Sequence, residues 1–185
     1  MRFVIAAGGT GGHLFPGVAA GVVLLEKGHE VMLITSEKEI DSVATAGRND
    51  FRVERMPGIG LQSKSPIQFG RFVVKSWAAV KHCNRLLSEF EPRAVLGMGG
   101  FTSTAPIWSG KRRGIPTFVH ESNAIPGRAN RLNARLVTKV LLGFRECARH
   151  FPEDKIELTG TPIRRSLTEK CSRNEALPRF GLHPA

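Results

Sequence analysis

Short apolar runs alternate with longer amphipathic segments along most of the chain. The run Val-Met-Leu-Ile at residues 31–34 is continuous rather than alternating, which is typical of a strand buried on both faces. In the segment 67–90, apolar side chains recur at spacings of three, four and seven, which predicts a helix with one buried stripe. Strands are predicted at residues 3–7, 30–35, 51–55, 94–96, 117–120, 139–142 and 155–159, and further helices from about Pro16 to Gly28 and at residues 37–46, 105–113 and 128–136.

This alternation of strands and helices predicts an α/β fold with a Rossmann-like, doubly wound parallel sheet. The segment 56–66 is rich in proline and glycine and predicts a loop. After residue 164, no further strand-helix unit is predicted. Ligands of doubly wound sheets bind beyond the carboxyl ends of the strands, so the functional residues are expected in the loops at that edge.

Two glycine-rich turns follow predicted strands. Residues 8–13 read Gly-Gly-Thr-Gly-Gly-His, and residues 97–104 read Gly-Met-Gly-Gly-Phe-Thr-Ser-Thr. Glycine lets the backbone come close to a ligand, and free N–H groups where a strand turns into a helix bind anions. Both turns and the loop 120–127 lie at the carboxyl edge of the predicted sheet. The sequence therefore predicts one cleft for phosphate or pyrophosphate, with His13 at its edge.

The charge of the chain is strongly positive and unevenly spread. The formal net charge is +11, and between Arg55 and Arg145 the acidic residues are Glu89, Glu91 and Glu121 alone. Such a field attracts nucleic acid, anionic lipid head groups or a phosphorylated substrate, although a solvated basic face without a partner is the alternative. The three cysteines fit no zinc or disulfide pattern, which favours buried or idle thiols in a reducing cytosol.

Two common uses of a glycine turn fit this sequence poorly. A dinucleotide fingerprint needs a third glycine where Leu14 stands, and the chain contains no GxxxxGK[ST] phosphate loop. A nucleotide-dependent oxidoreductase domain is therefore disfavoured. A nucleic-acid-binding α/β module that uses the basic surface stays open as a second alternative.

Four motifs together resemble the MurG family, glycosyltransferase family 28. They are residues 8–17, 95–101, 120–123 (His-Glu-Ser-Asn) and 160–164 (Gly-Thr-Pro-Ile-Arg), in the order and spacing of that family, and the resemblance extends to about residue 168. It implies the N-terminal half of a GT-B enzyme that moves N-acetylglucosamine from UDP-GlcNAc to the C4 hydroxyl of the muramoyl sugar of lipid I. The product is lipid II, a peptidoglycan precursor, and the reaction inverts the anomeric centre without a metal or other cofactor.

The same resemblance divides the chain and limits what it does alone. Residues 1–164 are expected to form the acceptor-binding domain. Residues 165–185 are expected to be the linker and the start of a C-terminal donor-binding domain that this chain lacks. The 185 residues by themselves are then expected to lack a complete donor site and to be inactive alone.

The chemistry and the resemblance together assign roles to single residues. His13, whose unperturbed pKa is near 6.5, is the candidate base for the attacking hydroxyl. His120 and Glu121 are expected to orient the loop or the acceptor, or else to form a buried ion pair without a catalytic purpose. The positions matched to donor contacts are Thr10, Gly11, Gly12, Asn123 and Arg164, and those matched to the acceptor and its pyrophosphate are Gly9, Gly99, Gly100, Phe101 and Thr102.

The chain departs from the family pattern at a few of these loops. Phe101 stands where a tyrosine is common, so a hydroxyl contact is lost there, and Thr104 replaces a glycine. Ser122, Ala124 and Thr161 also differ from the usual residues. None of these changes removes the proposed base, so they affect the geometry of the acceptor site rather than the class of reaction.

A lipid-linked acceptor requires contact with a membrane. The resemblance implies a peripheral protein at the cytoplasmic face of the bacterial plasma membrane, where lipid I, UDP-GlcNAc, anionic phospholipid and other cell-wall synthesis proteins are the expected partners and nucleic acid is not. The predicted membrane face consists of Arg71, Val74, Lys75, Trp77, Lys81 and Trp108. An alternative for Trp77 is that its ring only widens the buried stripe of its helix.

Overall fold

Seven parallel strands form the sheet that positions the glycine turns. A computed structural model describes residues 1–37, 50–56, 66–167 and 172–181, without the side chains of residues 66, 67, 69, 71 and 166. The strands are β1 (Arg2–Ala6), β2 (Glu30–Ser36), β3 (Arg52–Met56), β4 (Ala94–Gly97), β5 (Thr117–Glu121), β6 (Lys139–Leu142) and β7 (Ile156–Leu158). Their order in the sheet is β3-β2-β1-β4-β5-β6-β7, and every pair is parallel. The doubly wound sheet is thus confirmed, with its switch point between β1 and β4.

Helices follow most of the strands. They are α1 (Gly11–Glu26), α2 (Pro66–Phe90), α3 (Thr104–Arg112), α4 (Arg128–Asn133) and α5 (Arg173–Arg179), with 3₁₀ helices at Phe101–Ser103, Arg145–His150, Glu153–Lys155 and Arg165–Leu167. All seven predicted strands are present within two residues of their predicted bounds. The predicted helix at residues 37–46 and loop at residues 56–66 lie almost wholly outside the described residues.

The start of α1 corrects the prediction from sequence. The helix begins at Gly11 rather than near Pro16, and the N–H groups of His13 and Leu14 both donate to the carbonyl oxygen of Thr10 (3.2 and 3.0 Å). Pro16 lies inside the helix, where its missing N–H removes a single bond to the carbonyl of Gly12. His13 therefore stands on the first turn of a helix and not on a loop.

The helix α5 was not predicted from the sequence, which indicated only that no further strand-helix unit follows residue 164. A capping box starts it: the Ser172 hydroxyl accepts from the N–H of Glu175, while the Glu175 carboxylate accepts from the N–H of Ser172 at 2.9 Å.

The helix α4 is shorter than predicted because the turn after Asn133 tightens, with the N–H of Leu136 donating to the Asn133 carbonyl (2.9 Å).

The core lies on both faces of the sheet. On one face, Val4, Met32 and Val95 pack against Cys83 and Leu86 of α2. On the other face, α1 covers the strands, and its apolar side chains Leu14 and Val18 pack on Ile5 and Leu33. With β1 and β4 held between helices on both sides, the turns at their carboxyl ends start from a fixed point.

Two cysteines have the environment that the sequence predicted. Cys83 and Cys147 are buried free thiols, while Cys171 lies outside the described residues. Burial raises the pKa of Cys83 to about 12, so its thiol stays protonated at neutral pH. None of the helices in the described part of the chain is long and apolar enough to cross a bilayer.

Candidate active site

The two glycine turns meet at the ring of His13. A Cβ added to Gly99 would lie 2.8 Å from both Cδ2 and Nε2 of His13, closer than real Cβ contacts come, and Gly99 has a φ of +111°. A Cβ added to Gly100 would lie 3.5 Å from Nδ1 of the same ring. Glycine at position 99 is therefore required by both backbone shape and space, and it lets the imidazole pack directly on the second turn.

Ser103 fastens the second turn to the first strand. Its hydroxyl oxygen accepts from the N–H of Gly99 (3.1 Å) and lies within hydrogen-bond distance of the carbonyl oxygens of Gly99 (2.8 Å) and Ala6 (3.1 Å). The Gly99 N–H, which the sequence analysis assigned to the pyrophosphate, thus donates to Ser103 in this structure. The N–H groups of Gly100, Phe101 and Thr102 lead into a 3₁₀ helix, whose first N–H groups have no partner within the helix.

His13 is held in the neutral form. Its Nδ1 is hydrogen-bonded to the Thr10 hydroxyl at 3.1 Å. Burial lowers the pKa of His13 below its usual value, because the charged imidazolium loses hydration. The charge of Glu121 raises that pKa and His120 lowers it further, but burial is the largest effect. At neutral pH the ring is therefore free to accept a proton.

Glu121 is a buried carboxylate that organises the third loop. Oε1 accepts from the backbone N–H (3.0 Å) and side-chain amide (2.8 Å) of Asn123, and Oε2 accepts from the N–H of Gly127 (3.1 Å) and the Asn130 amide (2.9 Å). Only 1% of Glu121 is exposed. Four N–H donors thus take the place of water around a charge that lies near His13.

His120 faces away from Glu121. Its Nε2–H donates to the carbonyl oxygen of Gly160 (2.9 Å), which can only accept, so Nδ1 accepts from the Ser122 hydroxyl (3.2 Å). Burial lowers the pKa of His120. The alternative of a buried ion pair between His120 and Glu121 is wrong, since each binds other groups. His120 joins β5 to the segment that leaves β7.

Asn130 is a residue that the sequence reading missed. It is 2% exposed, and its amide nitrogen donates to the carbonyl of His120 (3.1 Å) and to Glu121. The same nitrogen lies 3.2 Å from the position of a Cβ added to Gly99, so α4 reaches the second glycine turn. Polar residues at the buried positions of a short helix, Asn130 and Asn133 beside Ala129 and Ala134, were the available signal.

The predicted donor positions are mostly accessible. Thr10, Gly12, Asn123 and Arg164 are exposed, and a Cβ added to Gly12 would meet nothing within 4 Å. The guanidinium carbon of Arg164 lies 4.5 Å from the centre of the Phe15 ring, a cation–π contact. The chain after β7 therefore returns to α1 two residues beyond His13.

The predicted membrane face is only partly described, and its tryptophans are exposed. Trp77 is 71% exposed and Val74 69% on α2, and Trp108 is 42% exposed on α3. Lys75 and Lys81 are also exposed, whereas the side chain of Arg71 is outside the described residues. The alternative in which Trp77 widens the core stripe is wrong.

Among the described residues, no three histidine, cysteine, aspartate or glutamate side chains are grouped as metal ligands would be.

The N-terminal domain of glycosyltransferase family 28 matches residues 3–142. The chain belongs to this family. A relative from Geobacter sulfurreducens, named UDP-N-acetylglucosamine–N-acetylmuramyl-(pentapeptide) pyrophosphoryl-undecaprenol N-acetylglucosamine transferase, is 35% identical over 97% of this chain and 50% of its own length. A relative of the same name from Geotalea uraniireducens is 37% identical over 90% of this chain and 46% of its own length. The chain thus spans about half the length of the curated relatives that it matches.

Solved structures of other proteins share the fold. Acinetobacter baumannii MurG superposes with a TM-score of 0.72 at 23% identity, covering 91% of this chain and 47% of that one. The Neisseria meningitidis UDP-GlcNAc 2-epimerase superposes with a TM-score of 0.61 at 16% identity, covering 87% of this chain and 46% of that one. These similarities confirm the predicted fold class, the Rossmann-like N-terminal half of a GT-B protein.

Proposed function

We propose that this chain is the acceptor-binding half of an inverting N-acetylglucosaminyltransferase. Its reaction would move N-acetylglucosamine from UDP-GlcNAc to the C4 hydroxyl of the muramoyl sugar of lipid I, giving lipid II. The observation that carries the proposal is a neutral, half-buried His13 packed between two glycine turns beside a buried carboxylate. Membership in the family and the names of the relatives support the same reaction. They leave the oxidoreductase and nucleic-acid alternatives without support.

The base of the reaction would be His13. As the acceptor hydroxyl attacks the anomeric carbon, a C–O bond forms there, the bond to UDP breaks, and the hydroxyl proton passes to the imidazole. The ring then carries a positive charge, which the negative charge of Glu121 favours. Glu121 thus stabilises the imidazolium that proton transfer produces, while burial keeps His13 neutral before the reaction.

The acceptor pyrophosphate would lie at the second turn. The N–H groups of Gly100, Phe101 and Thr102 are the donors left after Ser103 takes that of Gly99, and Gly9 forms part of the facing turn. Thr10, Gly11, Gly12, Asn123 and Arg164 would contact the donor. Residues 1–164 would form the acceptor domain, and residues 165–185 would lead towards a donor-binding half. We expect the 185 residues to bind acceptor but not to complete transfer.

Acceptor binding can be tested on the chain itself. We expect Gly100→Leu to lower the affinity for a soluble lipid I analogue by about tenfold or more, because the new side chain fills the amide turn. The matched control is Gly114→Leu, since φ is +70° at Gly100 and +69° at Gly114, and the backbone strain is the same. Titration calorimetry measures both. Equal affinities in the two variants would contradict the assignment of the second turn to the acceptor.

We also propose that α2 and α3 contact an anionic membrane surface. The exposed Val74 and Trp77 lie beside Lys75 and Lys81 on α2, and α3 ends with Lys111 and Arg112. Each cation near an anionic leaflet contributes about 1 kcal/mol, and tryptophan prefers the interface. This placement accounts for exposed aromatic rings that a water-facing helix would not need.

Co-sedimentation with liposomes tests the membrane proposal. The chain is expected to bind cardiolipin-rich vesicles and to bind neutral vesicles several-fold less. Trp77→Ser should weaken the binding, whereas Phe180→Ser should not, although Phe180 is also exposed (77%). Equal binding to charged and neutral vesicles would refute the proposal.

A further inference from the structure

An apolar pocket opens between α2 and α3, beside the second glycine turn. Its volume is about 120 Å³. Three aromatic rings and small or apolar side chains form most of its wall: Phe72, Ser76, Val80, Phe101, Ala105 and Trp108. A hydrocarbon group readily displaces water from such a pocket, because each methylene buried there stabilises the complex by about 0.8 kcal/mol.

Phe101 connects this pocket to the glycine turn. It follows Gly100 directly, so the two Cα atoms are about 3.8 Å apart. Its ring stands edge-on to Phe72 of α2, with centres 6.4 Å apart and planes at 85°, and it has no polar atom that a hydrocarbon would leave unpaired. The N–H group proposed for the pyrophosphate and the wall of the pocket thus belong to consecutive residues.

We propose that this pocket binds the first isoprenyl units of the acceptor, an inference that rests on the function proposed above. The relatives are named for a pyrophosphoryl-undecaprenol acceptor, in which hydrocarbon is joined to the pyrophosphate through a single oxygen. A pyrophosphate on the amides after Gly99 would therefore place the first carbons of the chain at the mouth of the pocket.

The position of the pocket favours an isoprenyl chain over the acyl chain of a phospholipid. An acyl chain is separated from its phosphate by glycerol and an ester, so a phosphate at Gly100 would hold its hydrocarbon several bonds further away. The exposed Val74 and Trp77 lie on the same helix as Phe72 and Ser76 and extend the apolar surface outwards. The remainder of the isoprenyl chain could follow this surface into the bilayer.

The two tryptophans allow a direct test. In a Trp77→Phe variant, Trp108 is the sole tryptophan, and its emission is expected to shift to the blue when farnesyl pyrophosphate binds but not when inorganic pyrophosphate binds. Farnesyl pyrophosphate should bind at least about tenfold more tightly than inorganic pyrophosphate. In a Trp108→Phe variant, the remaining Trp77 should show no shift. A shift of Trp77 alone would mean adsorption to the outer surface and would overturn the proposal.

Filling the pocket separates this proposal from the one on which it rests. Ser76→Leu should reduce the affinity for farnesyl pyrophosphate to that for inorganic pyrophosphate and leave the latter unchanged. Ala78→Leu adds a similar side chain on the exposed side of α2 and should change neither, with circular dichroism and urea unfolding showing that both variants fold. If pyrophosphate binds and farnesyl adds nothing, the pocket assignment is wrong and the anion site stands.

Two other binding results distinguish the pocket from the anion site and from an acyl-chain site. If inorganic pyrophosphate does not bind while farnesyl pyrophosphate binds in a manner that depends on Ser76, the pocket assignment stands and the anion site fails. Lauroyl lysophosphatidic acid provides the acyl comparison. Binding of that lipid as tight as farnesyl pyrophosphate, and equally lost in Ser76→Leu, would assign the pocket to acyl chains and overturn the isoprenyl proposal.

Discussion

Replacing His13 with alanine is expected to lower turnover by about 10²-fold or more, because the attacking hydroxyl then loses the group that takes its proton. The measurement needs both halves of an enzyme, so residues 1–164 would replace the matching half of the Geobacter sulfurreducens relative. Affinity for the acceptor should change much less, since the pyrophosphate amides of the second turn remain. Near-normal turnover would remove His13 from the role of base.

The surroundings of His13 predict the pH dependence of that reaction. Burial lowers the pKa of His13, so the ring stays neutral to a lower pH than a free histidine, and the acidic limb of the rate profile should lie below pH 6.5. An NMR titration of the isolated chain should give the same pKa. His29→Ala is the matched control: His29 precedes β2, at the amino edge of the sheet, while the cleft lies at the carboxyl edge. This variant should turn over normally.

Glu121→Gln is expected to cost about 3 kcal/mol of folding free energy. The amide has almost the same shape as the carboxylate, but its NH₂ group must face either the two N–H donors of Asn123 or those of Gly127 and Asn130. In either orientation two N–H donors lose their acceptor, and the NH₂ group of the glutamine faces them without a partner of its own. Urea unfolding of the 185-residue chain measures the change, and a loss below about 0.5 kcal/mol would contradict the role of this carboxylate.

The same variant has a second, independent readout at His13. Glu121 raises the pKa of His13, so removing its charge should lower that pKa further and move the acidic limb to lower pH. Glu146→Gln serves as the control, because Glu146 is exposed on a 3₁₀ helix and should alter stability by less than about 0.5 kcal/mol. An unchanged His13 pKa in Glu121→Gln would mean that the two groups are not coupled.

The local pattern of apolar, polar and glycine residues was sufficient to predict the sheet and the two glycine turns. Continuous apolar runs identified β1 and β2, because a strand buried on both faces has no polar side to hide the signal. The strands β3 and β7 contain charged residues and were predicted from their place in the alternation of strands and helices. The predicted start of α1 was placed too late because proline is common in the first turn of a helix, which pointed to Pro16. Inside α1, the packing of Leu14 and Val18 outweighs the cost of the one hydrogen bond that Pro16 removes. The helix α5 was missed although its Ser172 and Glu175 form a recognisable cap.

The sequence by itself determined the class of fold, the family and the identity of the candidate base. The alternation of strands and helices indicated the fold, and motifs of fixed spacing indicated the family and the base. The tertiary structure decided the partners of each group: that Ser103 takes the Gly99 amide, that His120 turns to Gly160, and that Asn130 completes the ring of donors around Glu121. It also decided that Phe101 lines an apolar pocket with residues of two helices. Some of these contacts join residues far apart in the chain, as the bond between His120 and Gly160 does, and the partner of a buried polar group depends on which donor or acceptor the fold brings within about 3 Å.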